Sequence, residues 1–488
     1  MRPVANQAML ITYPDSLGGD LRGLARALRT HLAGAFGGIH VLPFFPSSGD
    51  RGFAVIEYDV VDPAFGTWSD IEELGQDHFL MADFMINHAS IRSREFLDYL
   101  ERGDESPYRD MFIHWDEFWP GGEPTPAEMA ALYRRKPGGP VLEVTRRDGT
   151  VVRLWNTFFA EQVDIDPWQP VTQAYFERNL AILAERVAVV RFDAFAYASK
   201  RPGTSCFFVE PEVWEILEIG MRPLRARGTQ MVPEIHENYQ IQLKMADHGH
   251  WVYDFALPML TLHALFTGRS DRLRHWLEIC PRKQFTTLDT HDGIGVVDVV
   301  GLLDDEEIDL VVDRVEANTE ELRSRSPRPP STITKGRQGT QRYQLMTSFY
   351  SALGEDDRAF LLARVLQLFA PGIPQVYYVG ALFGANDLAM LEEVGDLRAA
   401  NRHNFTMDEI AARVQRPSVQ QFLEVLRFRN EFPAFDGSLT IDEERDGVLV
   451  LTWTDDTSEA SLRADLTTTS FRICTRRGSE PTTVVFSS

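Results

Sequence analysis

Residues 187–197 read VAVVRFDAFAY, four apolar residues running into Arg191-Phe192-Asp193. A strand that is apolar on both faces is buried on both faces, which places it in a parallel sheet covered by helices rather than on a half-solvated one. Seven further runs share this character. They are AMLITYP from Ala8, GGIHVLPFF from Gly37, FLMADFMINH from Phe79, MVPEIHE from Met231, WVYDFALP from Trp251, QFTTLDTHDG from Gln284 and IPQVYYVG from Ile373. Stretches with helical periodicity lie between them, among them LRGLARALRTHLAG and VTQAYFERNLAILAERVA. Eight strands alternating with helices predict an α/β fold, a (β/α)8 TIM barrel.

Two connections are too long for simple crossovers, one after the third strand and one after the seventh. Loops of this length are functional or form small subdomains, and both leave the strand ends where barrel enzymes build their sites. After about Phe435 the pattern turns to short alternating segments, GSLTIDEER, GVLVLTWTD, EASLRADL and SFRICTRR, as in a small antiparallel β-domain. The predicted organisation is a barrel from 1–88, 167–292 and 348–434, inserted subdomains at 89–166 and 293–347, and a C-terminal β-domain at 435–488.

The chain has 488 residues, 44% hydrophobic and 25% charged, the profile of an ordinary globular protein of more than one domain. No run of 18 apolar residues suggests a transmembrane helix, and the start lacks the apolar stretch of a signal peptide. The formal net charge of −23 argues against nucleic acid or an anionic membrane as partner. Three cysteines, Cys206, Cys280 and Cys474, have neither disulfide nor metal-ligand spacing and are expected to be buried thiols, which fits a reducing cytoplasm.

Carboxylates end three of the apolar strands: Asp193 the fourth, Glu234 the fifth (Pro233-Glu234-Ile235-His236) and Asp292 the seventh (His291-Asp292). A single acid at a strand end is as readily a cap or a solvated residue. Three of them around one barrel mouth, with Asp83-Phe84-Met85-Ile86-Asn87-His88 at the third strand, point to chemistry. Cleaving a glycosidic bond with retention needs one carboxylate as nucleophile and a second as acid about 5–5.5 Å away. Arg191 beside Asp193 favours its ionised form.

These four segments resemble the conserved regions of the α-amylase superfamily of glycoside hydrolases. The resemblance implies Asp193 as nucleophile, Glu234 as general acid/base and Asp292 as transition-state stabiliser, with His88 and His291 on the glucosyl hydroxyls. The strings LITYPDSLGG, HVLPFFPSSGDRGF, GTSCFF, VYDFALPMLTLHAL, LDTHDGIGVVDV, PGIPQVYYVGAL and NRH, spread from Leu10 to His403, look like the sucrose phosphorylase group. That similarity implies further substrate contacts from Asp50, Phe53, Arg191, Tyr197 and Arg402, no cofactor, and small-molecule substrates as the only partners.

Two acceptor-side loops depart from that group. Where its members resemble Y-R-P-R-P, this chain has Tyr133-Arg134-Arg135-Lys136, and an arginine replaces the first proline. Where they carry L-D-L-Y-Q, with an Asp that contacts fructose, Gln341 and Arg342 precede Tyr343-Gln344 here. A phosphomonoester brings about −1.5 to −2 charges, so losing an acid and gaining arginines suits a phosphorylated acceptor. The stretch looks like the sucrose 6F-phosphate phosphorylases. The implied reaction converts sucrose 6F-phosphate and inorganic phosphate to α-D-glucose 1-phosphate and fructose 6-phosphate. Sucrose phosphorylases and relatives acting on glucosylglycerol or glucosylglycerate remain alternatives. A catalytically inactive barrel is disfavoured because all three carboxylates are kept. Nothing in the sequence forms a dense oxygen-ligand cluster of the kind calcium takes, so no metal is expected.

Overall fold

The structure is a computed structural model that describes residues 2–136, 138–325, 331–336 and 339–488, with the side chains of 331–341 outside that description. All eight expected strands form: β1 (Met9–Thr12), β2 (Gly38–Val41), β3 (Phe79–Met85), β4 (Val189–Asp193), β5 (Gln230–Pro233), β6 (Val252–Asp254), β7 (Gln284–Thr286) and β8 (Ile373–Tyr377). Every residue of β1, β3 and β4 is buried, as continuous apolar strings in a parallel sheet require. Helices separate the strands, among them Leu21–Thr30, Trp68–Asp77, Pro170–Ala184 and Glu212–Arg225. Leu21–Thr30 starts where the Asp20 side chain accepts from Gly23 N at 2.6 Å, and it buries Leu21, Leu24 and Leu28 on one face.

The chain divides into two compact units. The first is built mainly from Val41–Ile235. In it β3, β4 and β5 run parallel, with Asp83 opposite Arg191, Met85 opposite Asp193 and Phe192 opposite Pro233. This register brings Asp193 and Glu234 to the carboxyl ends of adjacent strands. Between β3 and β4 the chain forms a hairpin, Val141–Thr145 with Val151–Trp155, over a core of Trp115, Trp119, Leu132, Trp155 and Cys206.

The second unit holds β6, β7, β8 and β1, again parallel, with Asp254 opposite Thr286, Phe285 opposite Ile373 and Met9 opposite Gln375. A short ribbon follows β7, in which Ile294 and Gly295 pair with Leu345 and Gln344. Five antiparallel strands close the chain: Ser438–Arg445, Val448–Thr454, Ser458–Asp465, Ser470–Arg477 and Thr483–Ser487. The last of these was not among the expected segments. Its TVVFS lies at the sheet edge with Val484 and Val485 exposed, so it lacks the alternation that marks the other four. Cys206 and Cys280 are buried as expected, whereas Cys474 is only half-buried on the edge-neighbouring strand. Among the described residues no helix is long and apolar enough to cross a membrane.

β6 ends in a carboxyl that is wholly buried. Asp254 accepts from Leu257 N at 3.0 Å and from Trp276 Nε1 at 3.1 Å. Burial pushes its pKa up from 3.8 to about 7 against these hydrogen bonds, which favour the charged form. The raised value means the fold prefers the protonated acid. Its stabilising contribution is full below the unfolded pKa and is lost as pH rises through about 7, by on the order of 4 kcal/mol. Asp254→Asn keeps an acceptor and cannot ionise. Between about pH 5 and pH 8 its melting temperature should therefore fall less than that of the wild type. Parallel curves for the two proteins would show that Asp254 does not titrate in this range.

Candidate active site

In the first unit a single guanidinium organises the carboxylates. Arg191 on β4 contacts Asp83 Oδ1 at 2.5 Å, Asp193 Oδ1 at 2.9 Å and Glu234 Oε1 at 3.5 Å. The second Glu234 oxygen accepts from Ala194 N at 2.9 Å. Ala194 takes a left-handed conformation at φ +53°, which turns the chain sharply after Asp193. A buried arginine touching three acids keeps negative charge favourable where it would otherwise be expensive. Phe53 sits 5.9 Å under the same guanidinium, and its carbonyl lies 3.0 Å from His88 Nε2. Burial lowers the pKa of His88. Asp50 accepts from Gln162 Nε2 at 3.1 Å, and the same amide reaches the Phe53 carbonyl at 3.3 Å. The expected first-unit residues Asp50, Phe53, His88, Arg191, Asp193 and Glu234 are thus joined by direct contacts, together with Asp83 from the third-strand motif and with Gln162 as an unexpected member.

A pocket opens beside them. Tyr133, Arg134, Arg135, Lys136, Trp155, Thr157, Tyr197 and Cys206 are among its lining residues. Tyr133 stacks on Phe207 at 4.2 Å, and Tyr197 meets Tyr133, Phe158 and Phe207 edge-on at 4.8–5.7 Å. Arg135 lies 6.0 Å over Phe158. Lys136 donates to Asn156, and burial lowers its pKa. A concave wall with three cations and aromatic sides favours negative charge. Arg134, Arg135, Lys136 and Tyr197, proposed from separate motifs, share this one cavity.

In the second unit His291-Asp292 follows β7. Arg402 Nε donates to the His291 carbonyl at 3.0 Å, and its NH2 lies 3.5 Å from Asp292 Oδ1. Arg398, one turn earlier, lies 3.6 Å from the same oxygen. Gly293 has φ +91°, and a Cβ there would sit 2.2 Å from the Leu345 carbonyl oxygen. The residue after Asp292 can therefore only be glycine. Tyr343 and Gln344 are buried on the ribbon after β7, and Tyr343 meets the His236 ring at 6.0 Å.

Arg342 stands apart from these. Its guanidinium lies 3.2 Å from Asp309 and 3.9 Å from Glu316, both on helix Asp305–Asn318. Gln341 lies on the strand Gly339–Leu345, with its side chain outside the described residues. Sequence reasoning overlooked Arg398 and also His236, which stacks on Phe255 at 3.9 Å and sits 3.2 Å from Asp298. Arg398 could have been found from its position four residues before Arg402. His236 lies two residues past Glu234, inside the quoted motif.

Carboxylates gathered on one arginine at adjacent strand ends, within eight strand–helix repeats, define a barrel enzyme equipped for glycosidic bonds. Residues 6–205 match the family model described as alpha amylase, catalytic domain. A sucrose phosphorylase from Streptococcus mutans is 46% identical over 92% of this chain and 93% of its own length. A glucosylglycerol phosphorylase from Marinobacter adhaerens is 40% identical over 92% of each. The crystal structure of sucrose 6F-phosphate phosphorylase from Thermoanaerobacter thermosaccharolyticum superposes with a TM-score of 0.93, at 38% identity over 99% of each chain. The chain belongs to the α-amylase family, within its sucrose phosphorylase group of glycosyl-transferring phosphorylases. Its fold is that family's (β/α)8 barrel with a C-terminal antiparallel β-domain.

Proposed function

We propose that the chain is a retaining phosphorylase of sucrose 6F-phosphate, releasing α-D-glucose 1-phosphate and fructose 6-phosphate. The observation that carries the choice of acceptor is the pocket lined by Arg134, Arg135 and Lys136 next to Tyr197, four residues beyond Asp193. In a protein of net charge −23, three neighbouring cations in one cavity are a local reversal of sign suited to a phosphate group.

Asp193 attacks the anomeric carbon while Glu234 protonates the departing fructosyl oxygen, giving a β-glucosyl ester on Asp193. Inorganic phosphate then attacks this ester from the vacated side, and Glu234 takes up its proton. Arg191 keeps Asp193 charged before attack, and Asp292, braced by Arg398 and Arg402, stabilises the oxocarbenium-like transition state. Phosphorolysis differs from hydrolysis only in the second nucleophile, so the cationic wall must hold phosphate where water would otherwise attack. Asp50, Phe53, His88, His291 and Arg402 bind the glucosyl group, and Tyr343 and Gln344 face the acceptor. The four-part division into barrel, two insertions and C-terminal β-domain belongs to the same reading.

Two displacements conserve configuration, so early turnover followed by NMR should yield the α-anomer of glucose 1-phosphate. Appearance of the β-anomer would exclude the double displacement. The acceptor is tested by comparing glucose 1-phosphate release from sucrose and from sucrose 6F-phosphate at equal concentrations. Faster release from plain sucrose would favour the second reading, a sucrose phosphorylase. Two observations speak for that reading: the 46% identity to the Streptococcus mutans enzyme, and the engagement of Arg342 by Asp309 and Glu316.

A further inference from the structure

The motif Leu288-Asp289-Thr290-His291-Asp292 holds two acids, and only the second has a role in the reaction above. The first, Asp289, is buried against an equally buried guanidinium. Arg364, in helix Asp357–Phe369, donates from NH2 to Asp289 Oδ1 at 2.7 Å and from NH1 to Gln367 Oε1 at 2.9 Å. The Gln367 amide donates in turn to the carbonyl oxygens of Thr286 at the end of β7, at 2.8 Å, and of Gln375 in β8, at 3.0 Å. The other Asp289 oxygen accepts from Phe349 N at 3.4 Å, just past the strand that carries Tyr343 and Gln344. Gly380 leaves the room this contact needs. A Cβ there would fall 1.8 Å from Arg364 NH2 and 3.3 Å from Asp289 Oδ1.

We propose that Arg364, acting through Asp289, is a positioning residue for Asp292. A buried ion pair adds little stability over apolar side chains of the same size. What it adds is direction, because a planar fork bonded on two nitrogens fixes a carboxylate in angle as well as in distance. Asp289 enters the turn that presents Asp292. Within that turn Asp292 N donates to Thr290 Oγ1 at 3.2 Å, and Thr290 and Gly293 exchange backbone hydrogen bonds at 3.0 and 3.1 Å. Asn401 Nδ2 and Arg402 Nε hold the Thr290 and His291 carbonyls at 2.9 and 3.0 Å. The turn is therefore closed on itself, and its entry is set by the Asp289 side chain. Without the guanidinium, Asp289 is a buried charge with its counter-ion removed, and it must rotate or take up a proton. The turn then shifts with it. A misplacement of about 1 Å at a reacting centre can cost on the order of a hundredfold in rate.

Arg364→Met should lower kcat by about tenfold or more. The KM for inorganic phosphate and the division of glucosyl groups between phosphate and water should stay as in the wild type, because Asp292 serves both transfers alike. Gly380→Ala, which displaces the guanidinium and leaves every charge in place, should lower kcat in the same way by a smaller factor. Arg364→Met combined with Asp289→Asn removes the uncompensated charge, so its melting temperature should recover while kcat stays low. A double variant that regains kcat together with its melting temperature would overturn the proposal, since the pair would then only neutralise itself. So would a Gly380→Ala protein with the wild-type kcat. If none of the three folds, the pair serves the fold and the positioning role falls. Because the role of Asp292 belongs to the proposed mechanism, on which this inference rests, one readout needs no turnover. 1-Deoxynojirimycin, a cationic ring of glucose configuration, resembles the oxocarbenium-like state, and glucose resembles the ground state. Calorimetry should show Arg364→Met weakening the iminosugar by about tenfold or more, and glucose by less. Equal weakening of the two would overturn the proposal. A wild-type chain that forms no glucose 1-phosphate but binds the iminosugar would sink the phosphorylase reading alone, and the calorimetric comparison would still decide. A wild-type chain that does not bind it would remove the role of Asp292, and the proposal with it.

Discussion

Asp193→Asn should lower kcat/KM by more than about 1,000-fold while leaving the fold in place. In the proposed double displacement the carboxylate forms the bond to glucose, and an amide oxygen at the same position is a poor nucleophile. Folding should survive because Arg191 retains Asp83 at 2.5 Å and Glu234 at 3.5 Å when the Asp193 charge is removed. Circular dichroism and melting temperature close to wild type, measured beside the rate, would separate lost chemistry from lost structure. A second line of evidence is direct. A glucosyl fluoride that reacts faster than its ester hydrolyses should leave glucose on the peptide containing Asp193. Residual activity above about one part in a thousand, or a label on another residue, would place the nucleophile elsewhere.

The parts of this molecule that could be read from sequence share one property: their signal is local. All eight strands were visible because a strand covered on both faces must be apolar at consecutive positions. Asp193, Glu234 and Asp292 stood out as charges at the ends of such strings. Four C-terminal strands were legible from alternation, and the edge strand Thr483–Ser487 was not, because an edge with two exposed valines has no such pattern. The cluster in which Lys200 donates to Asn87, Asp164 and the Tyr197 carbonyl was invisible for a different reason. Asn87, Asp164 and the Tyr197 carbonyl are far apart in the chain, and a backbone carbonyl has no sequence signal at all. Arg342 was read as an acceptor contact from its motif position alone. The acids that engage it, Asp309 and Glu316, lie on a helix some thirty residues earlier, and only the fold brings them together.

This difference between Arg342 and the pocket cations gives the second large effect. Arg134→Ala and Arg135→Ala should each cost about tenfold or more in kcat/KM for sucrose 6F-phosphate, since hydrogen bonds involving charged groups contribute roughly 1.5–3 kcal/mol. The double variant should lose about a hundredfold if the two guanidiniums act on separate phosphate oxygens. Arg342→Ala should cost less than either, because its guanidinium is shared with Asp309 and Glu316 and must leave them to reach a ligand. The control is plain sucrose, which has no phosphate on its fructosyl ring. Its kcat/KM should change far less in all three variants. Added salt should weaken the phosphorylated substrate more than sucrose, and this difference should shrink in the double variant as the screened charges disappear. Equal losses for the two substrates would mean that the cations serve inorganic phosphate, or hold the loop, for both. The pocket would then no longer distinguish fructose 6-phosphate from fructose, and the acceptor assignment would pass to sucrose.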